Sequence, residues 1–167
     1  DFYKGNFKEG MRSGPGLYVC QHGKRRYEGE WRMSRRHGQG KEVWPNRDAY
    51  EGGFANDLFE GEGVLRTTMG KYVGGFKAGK KHGKGKMDWI ARCVSVDGDA
   101  GRTATAPPRG SFGRTQAGQR ASHRRSPARL PRRKHVYDGE WEDGKMHGTG
   151  EYTWPSGEHY KGKWENN

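Results

Sequence analysis

Rings and polar residues alternate along this chain in short, recurring stretches. In Tyr27-Glu28-Gly29-Glu30-Trp31 the Tyr, the Gly and the Trp stand at i, i+2 and i+4, with a glutamate in each gap. A period of two places the Tyr, the Gly and the second ring on one face of a β-strand and the charged residues on the other. The same spacing returns at Tyr3 to Phe7, Tyr50 to Phe54, Tyr72 to Phe76, Tyr137 to Trp141 and Tyr160 to Trp164. Six such starts predict six equivalent strands, and no helix is required anywhere.

The residues after each start complete a hairpin. Seven positions beyond the Tyr stands a turn-former: Gly10, Ser34, Asp57, Gly79 or Gly144. A second signature then follows at a fixed offset, as Ser13-Gly14-Pro15-Gly16, His37-Gly38-Gln39-Gly40, Glu60-Gly61-Glu62-Gly63, His82-Gly83-Lys84-Gly85 and His147-Gly148-Thr149-Gly150. Trp44, Trp89 and Trp154 each stand seventeen residues after their Tyr. A turn followed by alternating residues reads as the return strand of a hairpin. Glycine weakens a strand, so two per copy point to a close approach, with neighbouring rings lying over both. Pro45 and Pro155, with Gly23, Gly70 and Gly157, punctuate the links between hairpins.

Successive tyrosines are separated by 24, 23, 22, 65 and 23 residues, a 23-residue period with one interruption. A fixed period of this size indicates a stacked array. One hairpin is not stable alone in water, but neighbours extend the sheet and bury the aromatic face between copies. The expected fold is all-β: an elongated, single-layer antiparallel sheet of β-hairpin repeats interrupted by a basic insertion. Repeats one to four take residues 3–89, the insertion 90–136, and repeat five with a truncated sixth 137–167.

Composition alone would suggest disorder, because only 29% of residues are hydrophobic, mean hydropathy is -1.26 and Gly numbers 29. The aromatic content of 12% changes that picture, since buried rings supply large apolar areas. No apolar run approaches the roughly 20 residues of a membrane-spanning helix, and no secretory leader opens the chain, which suggests a cytoplasmic protein. Cys20 and Cys93 form neither a disulfide framework nor a zinc spacing. A first residue of Asp1 and a stop in mid-repeat read as a fragment of something longer.

Residues 90–136 differ from the rest, holding no Tyr or Trp but many Ala, Pro, Ser and Arg. Ten Arg and one Lys against Asp97 and Asp99 give this segment +9, leaving +3 of the chain's +12 to the repeats. The basic pI of about 9.9 is therefore mostly the insertion's property. Three accounts compete: a disordered basic linker binding lipid headgroups, RNA or an acidic partner; a bland solvated loop, since long insertions cost little closure entropy; and translated intron sequence. Removing 42 of these 47 residues would restore the 23-residue period.

Together these units resemble the MORN (membrane occupation and recognition nexus) repeat family, whose copies read approximately Tyr-x-Gly-x-Trp-x-x-Gly-x-x-His-Gly-x-Gly. The copy from Tyr137 to His159 matches nearly throughout, whereas Ser13, Cys20, Ser34, Asp57 and Glu60 depart from the pattern. The resemblance implies a curved sheet that binds other proteins or acidic phospholipids, in cilia, cytoskeleton, membrane contacts or cell division. It also implies, as an alternative, the regulatory segment of a larger enzyme such as a phosphatidylinositol phosphate kinase.

Catalytic chemistry finds no support in the residues. The Gly-x-Gly pairs lack the following helix that a nucleotide loop needs. His37, His82 and His147 are equivalent but not clustered within one hairpin, so a structural role near the turn outweighs zinc. No Ser-His-Asp order or paired carboxylates stand out, and neither metal, cofactor nor nucleic acid is expected. The leading expectation is a non-catalytic scaffold for protein partners, with Tyr27, Trp31, Tyr50, Phe54, Tyr72, Phe76, Tyr137 and Trp141 lining a groove. Anionic lipid is the second expectation, through Arg124, Arg125, Arg132, Arg133 and Lys134. A membrane-peripheral or cytoskeletal and ciliary location would fit either.

Overall fold

A computed structural model of the chain describes residues 1–20, 22, 24–90 and 134–165. These form one open antiparallel sheet whose strands follow sequence order. The strands are β1 (Phe2–Lys8), β2 (Met11–Cys20), β3 (Arg25–Arg32), β4 (Arg35–Val43), β5 (Ala49–Ala55), β6 (Leu58–Thr67), β7 (Gly70–Lys77), β8 (Lys80–Trp89), β9 (His135–Glu142), β10 (Lys145–Thr153) and β11 (His159–Trp164). Eleven strands at the usual spacing span about 48 Å across the sheet, against about 30 Å along a nine-residue strand. The expected single-layer array of hairpins is the architecture found.

Each hairpin closes on a two-residue turn with both residues in the left-handed region: Glu9-Gly10, Met33-Ser34, Asn56-Asp57, Ala78-Gly79 and Asp143-Gly144, with φ between 48° and 86°. That pair of angles is what a type I′ turn demands, and its twist matches the strands it joins. The second turn residue also ties its hairpin to the one before. Ser34, Asp57, Gly79 and Gly144 donate their backbone N–H to the carbonyls of Arg12, Arg36, Phe59 and Lys81, at 2.9 to 3.0 Å. Two departures from the repeat pattern find their reason here. Ser34 Oγ accepts the Arg12 N–H at 3.0 Å, and Asp57 Oδ1 accepts the Arg36 N–H and Nε–H, both at 3.0 Å.

Within each hairpin the register jumps once. In β3–β4, Gly29 faces Gly40 but the next residue, Glu30, faces His37; the other four hairpins break at the same point. Between hairpins the pairing is regular, and one row crosses every strand: Gly5, Gly16, Gly29, Gly40, Gly52, Gly63, Gly74, Gly85, Gly139, Gly150 and Gly162. The two glycines of Gly-x-Gly prove to be small for different reasons. A Cβ on Gly85 would stand 2.2 Å from the Tyr72 hydroxyl, so a ring does lie across the second glycine. A Cβ on Gly83 would meet nothing within 4 Å. The first glycine is instead required by its left-handed backbone at the bulge, with φ from 60° to 73° at Gly14, Gly38, Gly61, Gly83 and Gly148.

β9 begins at His135, which pairs with Trp89, and Val136 pairs with Asp88. The last two residues of the expected insertion are thus part of the sheet. The expectation of disorder falls on residues outside those described, apart from Ile90 and Lys134 at its two ends.

Candidate functional site: the aromatic face

The face bearing the tyrosines is built by a repeated construction. Each Tyr ring lies along its own strand over the glycine row, with its hydroxyl above the glycine two residues on. Beside the bulge, each phenol donates to the carbonyl three residues beyond it: Tyr27 to Glu30, Tyr50 to Gly53, Tyr72 to Gly75 and Tyr137 to Glu140, at 2.9 to 3.0 Å. Burial keeps these phenols protonated, pushing Tyr50 and Tyr137 up to about 12 and Tyr27 and Tyr72 also well above their ordinary value. Where the bulge has a glutamate beside it, the carboxylate receives the opposite strand's N–H: Glu30 from Gln39 at 3.3 Å and Glu140 from Thr149 at 2.9 Å.

The second ring of each motif meets two tyrosines edge-on. Trp31, Phe54, Phe76, Trp141 and Trp164 each touch their own Tyr and that of the preceding repeat, with centroids 5.1 to 5.5 Å apart and planes near perpendicular. With Phe7 on Tyr3 at 5.1 Å, twelve rings form one unbroken chain across the sheet. Edge-to-face pairing of this kind adds about 0.5–1.5 kcal/mol per pair beyond the area buried. Where the ring is Trp, its indole N–H reaches a glycine carbonyl on the preceding strand: Trp31 to Gly16 at 3.2 Å, Trp141 to Gly85 at 2.9 Å and Trp164 to Gly150 at 3.2 Å.

This construction corrects the expected groove. Tyr27, Trp31, Tyr50, Phe54, Tyr72, Phe76, Tyr137 and Trp141 are all buried, none more than 5% exposed. They are the core, and the rows above them close it: each ring is covered by side chains of its own hairpin and its neighbour, so little of it is left for a partner. Of the residues expected to meet lipid, Arg124, Arg125, Arg132 and Arg133 lie outside the described residues, and Lys134 is exposed just before β9.

What does remain open on this face lies nine positions after the Tyr in the first four repeats. Arg12 stands 4.0 Å above the Trp31 ring, Arg36 at 5.4 Å from Phe54, and Phe59 is stacked on Tyr50 at 3.8 Å. Lys81 Nζ lies 4.7 Å from Trp141 and 5.1 Å from Tyr72, while Met146 fills the same place in the fifth repeat and is buried. Arg12, Arg36, Phe59 and Lys81 are half-buried. Trp44, Trp89 and Trp154, also half-buried, flank the rings, Trp44 touching Phe59 and the other two touching Tyr152. Sequence reasoning missed the four residues at the ninth position because their chemistry varies. Their fixed offset, two residues past the turn, was the available signal.

One row of this face carries a departure. Across the sheet at the level of the tyrosines run Tyr3, Tyr18, Tyr27, Glu42, Tyr50, Leu65, Tyr72, Met87, Tyr137, Tyr152 and Tyr160. Glu42, 1% exposed, is gripped by Arg25 at 2.7 Å on one oxygen and by Arg36 on the other. Burying a carboxylate is costly unless it is paired, and here two guanidiniums pair it. Among the described residues no three His, Cys, Asp or Glu come together as metal ligands would. His37, His82 and His147 stay apart on separate hairpins, and His147 Nε2 lies 3.2 Å from Glu142.

The spacing, the ring chain and the glycine row all repeat with one sequence unit. A family model for the MORN repeat matches residues 3–25, 27–49, 50–71, 72–99 and 137–159, well over half of the chain. The chain belongs to the MORN repeat family. MORN repeats are found in scaffold proteins and are typically non-catalytic. The sixth MORN start, Tyr160 to Trp164, falls beyond the matched segments but pairs in the sheet as β11, with Trp164 against Tyr137 at 5.3 Å.

Proposed function

We propose that this MORN array is a protein-docking scaffold whose partner peptide lies across the strands on the aromatic face, over Arg12, Arg36, Phe59 and Lys81 and against Trp44 and Trp89. The observation that carries this reading is the contrast between the two faces. On the opposite face, neighbouring strands satisfy one another with exposed ion pairs, Lys41 with Glu51 and Lys86 with Asp138, each at 3.6 Å. Such pairs are solvated and offer a partner little. The aromatic face instead holds the half-buried cations Arg12 and Lys81 over buried rings, together with the half-buried rings of Phe59, Trp44 and Trp89, and Arg and aromatic side chains are where binding energy concentrates. Arg12 and Lys81 have no carboxylate partner among the described residues, so the charge of this face favours an acidic peptide.

A random-peptide display library panned against the intact chain tests this. Recovered peptides should bind saturably, weaken with Phe59→Ala and Trp44→Ala, and be indifferent to Glu51→Gln and Lys86→Gln on the other face. Binding that depends on Glu51 and Lys86 but not on Phe59 would place the docking surface on the wrong side of the sheet.

A further inference from the structure

Two repeats solve the same local problem differently, and the difference leaves one of their two cations without a carboxylate partner among the described residues. In the second repeat the cation at the ninth position, Arg36, sits over Tyr27 and Phe54 and meets a carboxylate from its own return strand, Glu42, fifteen positions after the Tyr. In the fourth repeat the cation is Lys81, over Tyr72 and Trp141, and the residue at the fifteenth position is Met87. Glu42 and Met87 occupy the same row of the sheet, each facing its own tyrosine across the hairpin, Glu42 against Tyr27 and Met87 against Tyr72. Among the described residues, the Lys81 ammonium therefore has the Met87 sulfur, at 3.9 Å, and two ring faces around it, and no carboxylate. Thioether sulfur is a weak acceptor, and ring faces attract a cation without accepting its three N–H groups in full. Desolvation pulls this ammonium below its ordinary lysine value, which marks a charge lacking its counter-ion.

We infer that Lys81, with Trp141 and Met87 beside it, is a carboxylate-binding site that takes an Asp or Glu side chain of the docked peptide, as Arg36 takes Glu42 within the chain. The inference rests on the docking reading above. Phe59, one hairpin away, stacks on Tyr50 with half-buried Leu65 facing Tyr50 across the strands, so an apolar residue of the same peptide has a place about 10 Å from the carboxylate. A peptide is favoured over a lipid headgroup because the ammonium is half-buried beside an apolar neighbour rather than grouped with other free cations. Arg36, between Arg12 and Lys81, is already neutralised by Glu42 and Asp57.

Three variants of the intact chain, with peptides from the same display library as probes, test the site. Peptides selected on the unaltered chain should be enriched in Asp and Glu, and Lys81→Met should weaken them at least about tenfold. Met is compatible with the position, since Met146 fills it in the fifth repeat. Met87→Glu should block the peptides equally, because it supplies the internal carboxylate that Glu42 supplies in the second repeat, while Lys80→Gln, outside the site, should leave affinity unchanged. Peptides that need Phe59 yet show no acidic bias, or that bind Lys81→Met unchanged, would overturn the carboxylate site and leave the scaffold standing. If no peptide is recovered on that face, both readings fail together. Vesicles of phosphatidylcholine with phosphatidylserine form the last arm: Lys81-dependent sedimentation with them, stronger than any peptide binding, would replace the peptide with a headgroup.

Discussion

Tyr72 and Trp141 meet edge-to-face at 5.3 Å although 68 residues of chain stand between them. The contact is the same one that Tyr27 makes with Phe54 and Tyr50 with Phe76, both at 5.1 Å, in uninterrupted parts of the array. Trp141 also donates to the Gly85 carbonyl on β8. The fourth and fifth repeats are therefore joined by the ordinary inter-repeat interface.

Deleting residues 91–132 should accordingly leave the fold intact. The pairing of Trp89 with His135 would then be closed by three residues, close to the four between the paired Cys20 and Arg25 and the two between the paired Thr67 and Gly70. Closure entropy predicts a gain of about 2 kcal/mol from so large a shortening. Thermal melts followed by circular dichroism should show an unchanged or higher midpoint. Cooperative loss of β-structure would mean that the insertion carries part of the fold.

Much of this architecture was legible from the chain alone, because the aromatic and glycine positions are dictated by backbone geometry that repeats. A strand alternates its faces whatever its neighbours, so the spacing of Tyr27, Gly29 and Trp31 reads directly as one face. What could not be read was which rings would be left open. Burial depends on the side chains of the adjacent hairpin, and the residues that cover Tyr50 and Phe54 include Phe59, whose equivalents are Arg12, Arg36, Lys81 and Met146. A position that varies this widely has no compositional signature. The third repeat, poorest in the consensus, is equally instructive: Asp57 bonds Arg36, and Glu60, where three other copies have His, accepts the Ala78 N–H at 3.0 Å. Its departures are partnered across the hairpin interface, which a single repeat read alone cannot reveal.

The two glycines of one signature should respond differently to substitution. Gly85→Ala pushes a methyl into the Tyr72 phenol and should cost about 1–3 kcal/mol. Gly83→Ala has open space but a φ of +70°, and should cost about 1–2 kcal/mol through backbone strain. Asn, which tolerates the left-handed region, should restore most of the loss at 83 and none at 85. Denaturant melts of the four variants decide the matter; equal recovery at both sites would refute the division of roles.

Alkali should unfold the array in step with tyrosine ionisation. Burial raises the phenols of Tyr27, Tyr50, Tyr72 and Tyr137 above their ordinary 10.0. A group whose folded-state pKa lies above its unfolded value gives its full stabilisation below the unfolded value, and that contribution is lost as pH rises through the folded one. Stability should therefore hold to about pH 10 and fall steeply toward pH 12. Phenolate absorbance and far-ultraviolet circular dichroism, recorded in one titration, should change together. Four phenols ionising near pH 10 with the sheet intact would contradict the burial described here.

The indole N–H bonds admit a milder test. Trp141→Phe should keep the edge-to-face contacts, as Phe54 and Phe76 do in their repeats, but forfeit the bond to the Gly85 carbonyl. A loss of about 1 kcal/mol is expected, against about 3–5 kcal/mol for Trp141→Ala. The reverse change, Phe76→Trp, should gain stability if its indole reaches the Gly63 carbonyl. Equal losses for Phe and Ala at 141 would show that ring packing contributes little there.

Positional information in this sheet resides in the register between strands rather than in the covalent path that joins them. Seven residue pairs from Gly83–Trp141 to Trp89–His135 align β8 with β9, and the same alignment would be available to two separate polypeptides. A backbone cleaved anywhere within 91–132 leaves a fragment of eight strands and a fragment of three, each ending in a complementary edge. Their reunion would be a bimolecular association with a concentration-dependent midpoint, so the array could serve as a split protein reconstituted from its two parts.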